Sequence, residues 1–224
     1  LSCFSSKKMF SILIFLIVPI FSTIVLDGDT LVISDEGSIS ALQVSEYKDV
    51  ARKCTITYDS LFKTTEEAFS GFSDLQSLTI TAASIELTQY SFQGVPIGSI
   101  VLKATRSTIT FGQNSLRQSN IESLEIESYG NIYFNTRSFQ QCENMKTLKV
   151  ISTTGYVSLS TPTFVQSDIE NVNIQAQRSI TFNTESFQQV TSIKEMHLSS
   201  QSDMIFSISA FDNCSIDTLF VESG

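Results

Sequence analysis

An eight-residue motif, apolar-x-x-apolar-x-apolar-x-small, returns seven times along this chain of 224 residues. The copies read LQSLTITA (Leu75–Ala82), IGSIVLKA (Ile97–Ala104), IESLEIES (Ile121–Ser128), MKTLKVIS (Met145–Ser152), IENVNIQA (Ile169–Ala176), IKEMHLSS (Ile193–Ser200) and IDTLFVES (Ile216–Ser223). Their first residues lie 22, 24, 24, 24, 24 and 23 positions apart. A fixed period of this length restricts the chain to a solenoid, one coil per copy, each stacked on the last. Within a copy the alternation has the period of a β-strand. Leu124, Ile126 and Ser128 then face the interior while Ser123, Glu125 and Glu127 face outward.

A second pattern fills the rest of each period. It runs apolar-x-apolar, four residues, then a bulky apolar residue: IELTQYSF ending at Phe92, ITFGQNSL at Leu116, IYFNTRSF at Phe139, VSLSTPTF at Phe164, ITFNTESF at Phe187 and MIFSISAF at Phe211. EEAFSGF puts Phe69 at the same station one coil earlier. The residue after the short strand is Thr88, Gly112, Asn135, Ser160, Asn183 or Ser207. That set is favoured at helix N-caps, which predicts a short helical or 3-10 turn carrying the aromatic ring into the core. The last inward position of the first strand is always small: Ala82, Ala104, Ser128, Ser152, Ala176, Ser200 and Ser223. A tight corner against the neighbouring coil would require this. About six buried apolar side chains supply roughly 10–15 kcal/mol per coil. Ordering its backbone costs about 1–2 kcal/mol per residue, so one coil cannot fold alone and the stack is the stable unit.

The segments SFQQC (Ser138–Cys142) and AFDNC (Ala210–Cys214), each placed before the next apolar strand, resemble the leucine-rich repeat of BspA-like surface proteins. The other copies hold Phe72, Val95, Ser119, Ser167 and Val190 in the cysteine slot. The resemblance covers residues 54–224, counting a degenerate first unit, CTITYDSLF (Cys54–Phe62). It implies a mostly β solenoid with a leucine-rich-repeat coil of about 24 residues. In such a coil a parallel sheet lies on the concave side, and each repeat adds a short second strand and a helical turn. It also implies a non-enzymatic surface protein that adheres to host or matrix proteins.

The N-terminus reads KKMFSILIFLIVPIFSTIVLD, two lysines followed by an apolar run. This pattern predicts a signal peptide over residues 1–22. The alternative is an uncleaved membrane anchor over residues 9–26, because the run reaches the minimum spanning length. Either puts the repeats outside the cytosol, secreted or at the cell surface. Residues 23–53 are acidic and off the repeat frame, apart from an alternating stretch over Thr30–Ser34, and are expected to cap the first coil. The frame stops at Gly224 with a first strand complete and no second strand after it, so the solenoid reads as truncated there. Leu219 and Val221 would lie under that open end. End-to-end self-association would cover them, which makes a structural surface coat or self-assembling scaffold the second functional expectation.

The formal charge of −9 carries the wrong sign for nucleic-acid binding. Losing Lys7 and Lys8 with a leader would take it to −11. Catalytic patterns are missing: the chain has one histidine, His197, and no HExxH, GxSxG, P-loop or paired CxxC. Asp27-Gly28-Asp29 lacks the later ligands of a calcium loop. No cofactor or metal is therefore expected. Cys3 would leave with the leader. Cys142 and Cys214 share one slot three coils apart, about 14 Å, too far for a disulfide, which points to buried thiols acting as small hydrophobes. One N-glycosylation sequon occurs, Asn213-Cys214-Ser215.

The candidate binding residues are the outward row across the first sheet: Thr79, Val101, Glu125, Lys149, Asn173, His197 and Phe220. Glu125 and Lys149 hold equivalent positions and should be lateral neighbours of opposite charge. A broad concave face of this kind suits an extracellular protein or glycan ligand.

Overall fold

The computed structural model describes residues 23–34 and 38–224. The expected leader, the anchor as far as residue 22, and Cys3 lie outside them. No helix among the described residues is long and apolar enough to cross a membrane.

Each coil contributes one strand to a long sheet and one to a short sheet. The long sheet has ten strands in the order β1 (Thr23–Asp27), β2 (Thr30–Ser34), β4 (Lys53–Thr57), β6 (Leu75–Ala82), β8 (Pro96–Ala104), β10 (Asn120–Ser128), β12 (Met145–Ser152), β14 (Ile169–Ala176), β16 (Ile193–Ser200) and β18 (Ile216–Ser223). The short sheet has eight: β3 (Ser38–Ile39), β5 (Leu61–Thr64), β7 (Ser84–Leu87), β9 (Ile109–Phe111), β11 (Ile132–Phe134), β13 (Val157–Leu159), β15 (Ile180–Phe182) and β17 (Met204–Phe206). All pairings are parallel except the β1–β2 hairpin. The register joins like positions of successive motifs: Leu124 lies opposite Ile100 on one side and Leu148 on the other. A slip of one residue would turn every inward side chain to solvent, so the buried face locks the register.

The solenoid extends further toward the N-terminus than the repeat motif. Within residues 23–53, Thr23–Asp27 is the antiparallel edge strand, while Thr30–Ser34 pairs parallel with Lys53–Thr57 and Ser38–Ile39 pairs parallel with Lys63–Thr64. Residues 30–34 and 38–52 thus belong to one more coil. Its frame is hidden in the sequence because a four-residue helix (Ala41–Val44) and a 3-10 turn (Ser45–Tyr47) stand where the other coils carry the Phe station.

Inside, the aromatic residues form two columns. At the Phe station, Phe69 stacks on Phe92 with ring centres 4.3 Å apart, and Phe139, Phe164, Phe187 and Phe211 follow at 5.0, 4.9 and 5.4 Å. Leu116 fills the gap between the two runs. On the short strands Phe111 stacks on Phe134 at 4.9 Å and Phe182 on Phe206 at 5.1 Å. Offset parallel rings at these separations are favourable beyond the apolar area they bury. The small corner position is explained by burial and by hydroxyl pairing: Ser128 Oγ donates to the Ser107 carbonyl at 2.7 Å and Ser152 Oγ to the Gly130 carbonyl at 2.8 Å.

The turn expected in each repeat is present only as isolated i→i−3 bonds, such as Gln93 N–H to the Tyr90 carbonyl at 3.1 Å and Gln140 N–H to the Arg137 carbonyl at 3.2 Å, and no continuous helix forms at the Phe stations of the described residues. Two residues before the Phe station the backbone is left-handed at Glu67, Tyr90, Asn114, Arg137, Glu185 and Ser209. Two residues after it the backbone is left-handed again, at Gly71, Gly94, Gln118, Gln141, Gln166, Gln189 and Asn213. A right-handed helix cannot run through such residues. Alternate amides close these turns and the ones between them reach sideways. Phe92 N–H donates to the Ser115 carbonyl of the following coil at 2.7 Å, Leu116 N–H to Ser138 at 2.8 Å, and Phe164 N–H to Ser186 at 2.8 Å. The corner is therefore a third intercoil ladder. Its cap-like residues serve that ladder: Asn183 Nδ2 donates to the Leu159 carbonyl one coil back at 2.8 Å. Gly112 stands at the same station because a Cβ there would lie 2.6 Å from the Thr88 backbone.

The cysteine slot also has a hydrogen-bonding reason. Cys142 Sγ donates to the Leu116 carbonyl at 3.1 Å, while Ser119 and Ser167 in the same slot donate to Phe92 and Phe139 carbonyls at 2.7 and 2.5 Å. Cys54, Cys142 and Cys214 are free thiols. Burial pushes the Cys54 thiol up to about 12, that of Cys214 up to about 11, and that of Cys142 higher still. In the last coil Phe206, Leu219 and Val221 hold positions that are interior in other coils, yet are about half exposed (47%, 52% and 49%).

Candidate functional site

The strand register brings all seven candidate residues into one row. Thr79 lies beside Val101, Val101 beside Glu125, Glu125 beside Lys149, Lys149 beside Asn173, Asn173 beside His197, and His197 beside Phe220. They project from the outer face because they alternate with the buried Leu78, Ile100, Leu124, Leu148, Val172 and Met196.

Charges on this face are arranged in opposite-sign neighbours. Lys149 Nζ meets Glu125 Oε1 at 2.6 Å, and Lys103 meets Glu127 at 3.1 Å. Along the strand-entry row the sign alternates from coil to coil. Lys146 is bonded to Glu122, and Lys194 Nζ is 2.7 Å from Glu170 Oε2. The hydrogen bond to Glu122, together with its charge and the more distant Glu170, holds the Lys146 ammonium above its ordinary range. The hydrogen bond and charge of Lys194 hold the Glu170 carboxyl below the usual carboxylate range, with Lys146 adding to the effect. These side chains are solvent-exposed, and such pairs set pattern more than stability.

His197 is held twice. Its Nε2 lies 2.5 Å from Glu195 Oε1, and its ring stacks on Phe220 at 4.4 Å and 16°. Glu195 was missed by reasoning along the outward row, because it precedes His197 by two on the same strand and not by one coil. Amides fill the space between the charged pairs. Asn171 Nδ2 donates to the Lys146 carbonyl at 3.0 Å, and Gln175 Nε2 to Asn173 Oδ1 at 3.1 Å.

A depression of about 400 Å³ opens over this surface, and Glu125, Lys149, Asn171, Asn173, Glu195 and His197 contribute to its lining. It takes in four of the seven candidates. Phe220 belongs to a smaller neighbouring hollow of about 170 Å³, which shares Asn173 and His197. Thr79 and Val101 line neither. Among the described residues no group of three or more His, Cys, Asp or Glu is placed to hold a metal ion. The imidazole of His197 has a carboxylate on one side and a phenyl ring on the other. The arrangement offers hydrogen bonds and paired charges to a ligand over several coils.

The corner carries a second polar row. Gln118 Nε2 donates to Gln141 Oε1 at 3.3 Å, Gln141 to Gln166 at 3.3 Å, and Gln166 to Gln189 at 3.1 Å. Asn213 holds the same left-handed station one coil on. With Asn120, Glu143 and Asp168, the first three of these glutamines line a separate depression of about 540 Å³.

Parallel coils with a period near 24 residues, one long and one short strand each, and aromatic columns inside define a leucine-rich-repeat solenoid. Residues 47–156 and 109–224 match the family model for the BspA type leucine rich repeat region, with six copies. The chain belongs to the BspA-type leucine-rich-repeat family. No curated protein and no solved structure matches it.

Proposed function

We propose that this chain is an exported, non-enzymatic adhesion module that binds an extracellular protein on the outer face of the ten-stranded sheet, over β10, β12, β14 and β16. The observation that carries the reading is the depression over Glu125, Lys149, Asn173 and His197, set among charges that alternate from coil to coil. A partner surface can exchange those pairs one for one without burying an uncompensated charge, which favours specificity over bulk attraction. Repeat solenoids offer extended surfaces of this type. BspA-type repeat proteins are usually secreted or surface proteins, and that address suits the reading. Binding, not catalysis, is the activity assigned.

The test compares the parent with a Glu125→Ala/Lys149→Ala variant and with a Lys63→Ala/Glu86→Ala control, whose ion pair lies on the short sheet. Each is titrated over immobilised extracellular-matrix proteins. Loss of at least tenfold in affinity for the first variant, with the control unchanged, is expected. Equal binding by all three would remove the long sheet as the site. Binding abolished by deglycosylating the immobilised protein would replace the protein partner with a glycan.

A further inference from the structure

We propose that Asn213 is an N-glycosylation site, an exposed asparagine at the corner station whose carboxamide does not join the glutamine row that precedes it. Asn213-Cys214-Ser215 is the only Asn-x-Ser/Thr sequence in the chain. Asn213 occupies the left-handed station (φ 54) that Gln118, Gln141, Gln166 and Gln189 hold in earlier coils, and its side chain is exposed. The glutamine amides bond to one another from coil to coil. Asparagine is one methylene shorter, and no hydrogen bond joins the Asn213 carboxamide to Gln189. Ser215, the residue that completes the acceptor sequence, is also exposed, and its backbone carbonyl accepts the Ile193 N–H at 2.9 Å. Cys214, between them, turns partly inward. Asn213 and Ser215, which supply the acceptor amide and the hydroxyl, are thus exposed while the middle residue is half-buried.

The corner is also a place where a large adduct can stand. The depression beside the glutamine row shares no lining residue with the depression over Glu125 and Lys149. An oligosaccharide on Asn213 would rise from the turn and leave the long-sheet face open. In the transfer, Asn213 Nδ2 forms a bond to C1 of a lipid-pyrophosphate-linked oligosaccharide. The C1–O bond to the pyrophosphate breaks, the lipid pyrophosphate departs with its electron pair, and one Nδ2 proton passes to solvent.

This inference rests on the export part of the proposed function, so the experiment has two arms in a eukaryotic cell with a secretory pathway. One chain keeps its own N-terminus. In the other, residues 1–22 are replaced by the cleavable leader of a different secreted protein, with every coil retained. Intracellular and secreted pools are both treated with peptide-N-glycosidase, so retention in the cell does not silence the readout. A single mobility shift is expected, with Asn213 converted to aspartate in the released peptide. It should vanish in Asn213→Gln and Ser215→Ala and persist in Ser215→Thr and Cys214→Ser. No shift in the replaced-leader arm would overturn the site. A shift in that arm alone would leave the site standing and remove export by the chain's own N-terminus.

Discussion

Removing one ring from the interior column is the sharpest test of the stack. Phe164 has no exposed surface and is sandwiched between Phe139 at 5.0 Å and Phe187 at 4.9 Å, with Phe134 at 5.8 Å. Phe164→Ala removes its transfer energy and leaves a cavity that rigid neighbouring coils cannot close, a loss of about 3–5 kcal/mol. Two stacked partners are lost together, which puts the expectation in the upper half of that range. For a chain of this size the melting temperature should fall by roughly 6–20 °C. Phe164→Leu should cost only about 1–2 kcal/mol, because Leu116 already fills the same station fully buried. Urea unfolding followed by far-ultraviolet circular dichroism reads both. An unchanged slope with a lower midpoint means the coils unfold together, and a reduced slope means they separate at the lesion. Ile205→Ala, at a half-exposed outward position, serves as the control and should move stability by no more than about 0.5 kcal/mol. An alanine variant within about 1 kcal/mol of the parent would show that the ring is not held in a packed interior.

Other expectations follow from the corner, the thiols and the charge row. Gly112→Asn, which installs the residue found at this station in two other coils, should destabilise by about 1–3 kcal/mol because its Cβ meets the Thr88 backbone; a neutral outcome in the same urea assay would contradict the close approach. Cys54 and Cys142 should resist a thiol reagent at pH 8 until the protein is unfolded, since burial keeps both protonated, with Cys54 near 12; rapid labelling of either in the native state would refute their placement. Carboxyl NMR should show Glu170 titrating below the usual range, and Lys194→Ala should move it back up. A depressed carboxyl contributes stability above the unfolded-state value and loses it as pH falls through the folded-state value. The Glu170 pair should therefore weaken only on acidification, and a Lys194→Ala variant with the same titration would exclude the pairing.

The repeat period made the stack, the register and the aromatic column legible from sequence, because buried positions must recur with the coil. The same logic placed Glu125 beside Lys149 and lined up the outward row through His197 and Phe220. What it misjudged was the corner. Thr88, Asn135 and Asn183 look like helix caps, yet the residues two beyond each are left-handed and direct their amides to the next coil. Glutamine and arginine at positive φ carry no sequence signature, since only glycine and asparagine advertise that conformation. The coil that holds Thr30–Ser34 and Ser38–Ile39 was hidden for a different reason: its Phe station is replaced by a short helix, so the motif is broken although the strands still pair. Strand alternation places Glu195 on the same outward face as His197, but the neighbours of His197 were sought only in the adjacent coils, where Asn173 and Phe220 stand.

The direction of the corner bonds bears on synthesis. Phe92, Leu116, Phe139, Phe164 and Phe187 each give their backbone hydrogen to a carbonyl of the coil that follows. On a ribosome, then, every bend stays unsealed until about one more period of polypeptide has emerged, and assembly trails elongation by a coil.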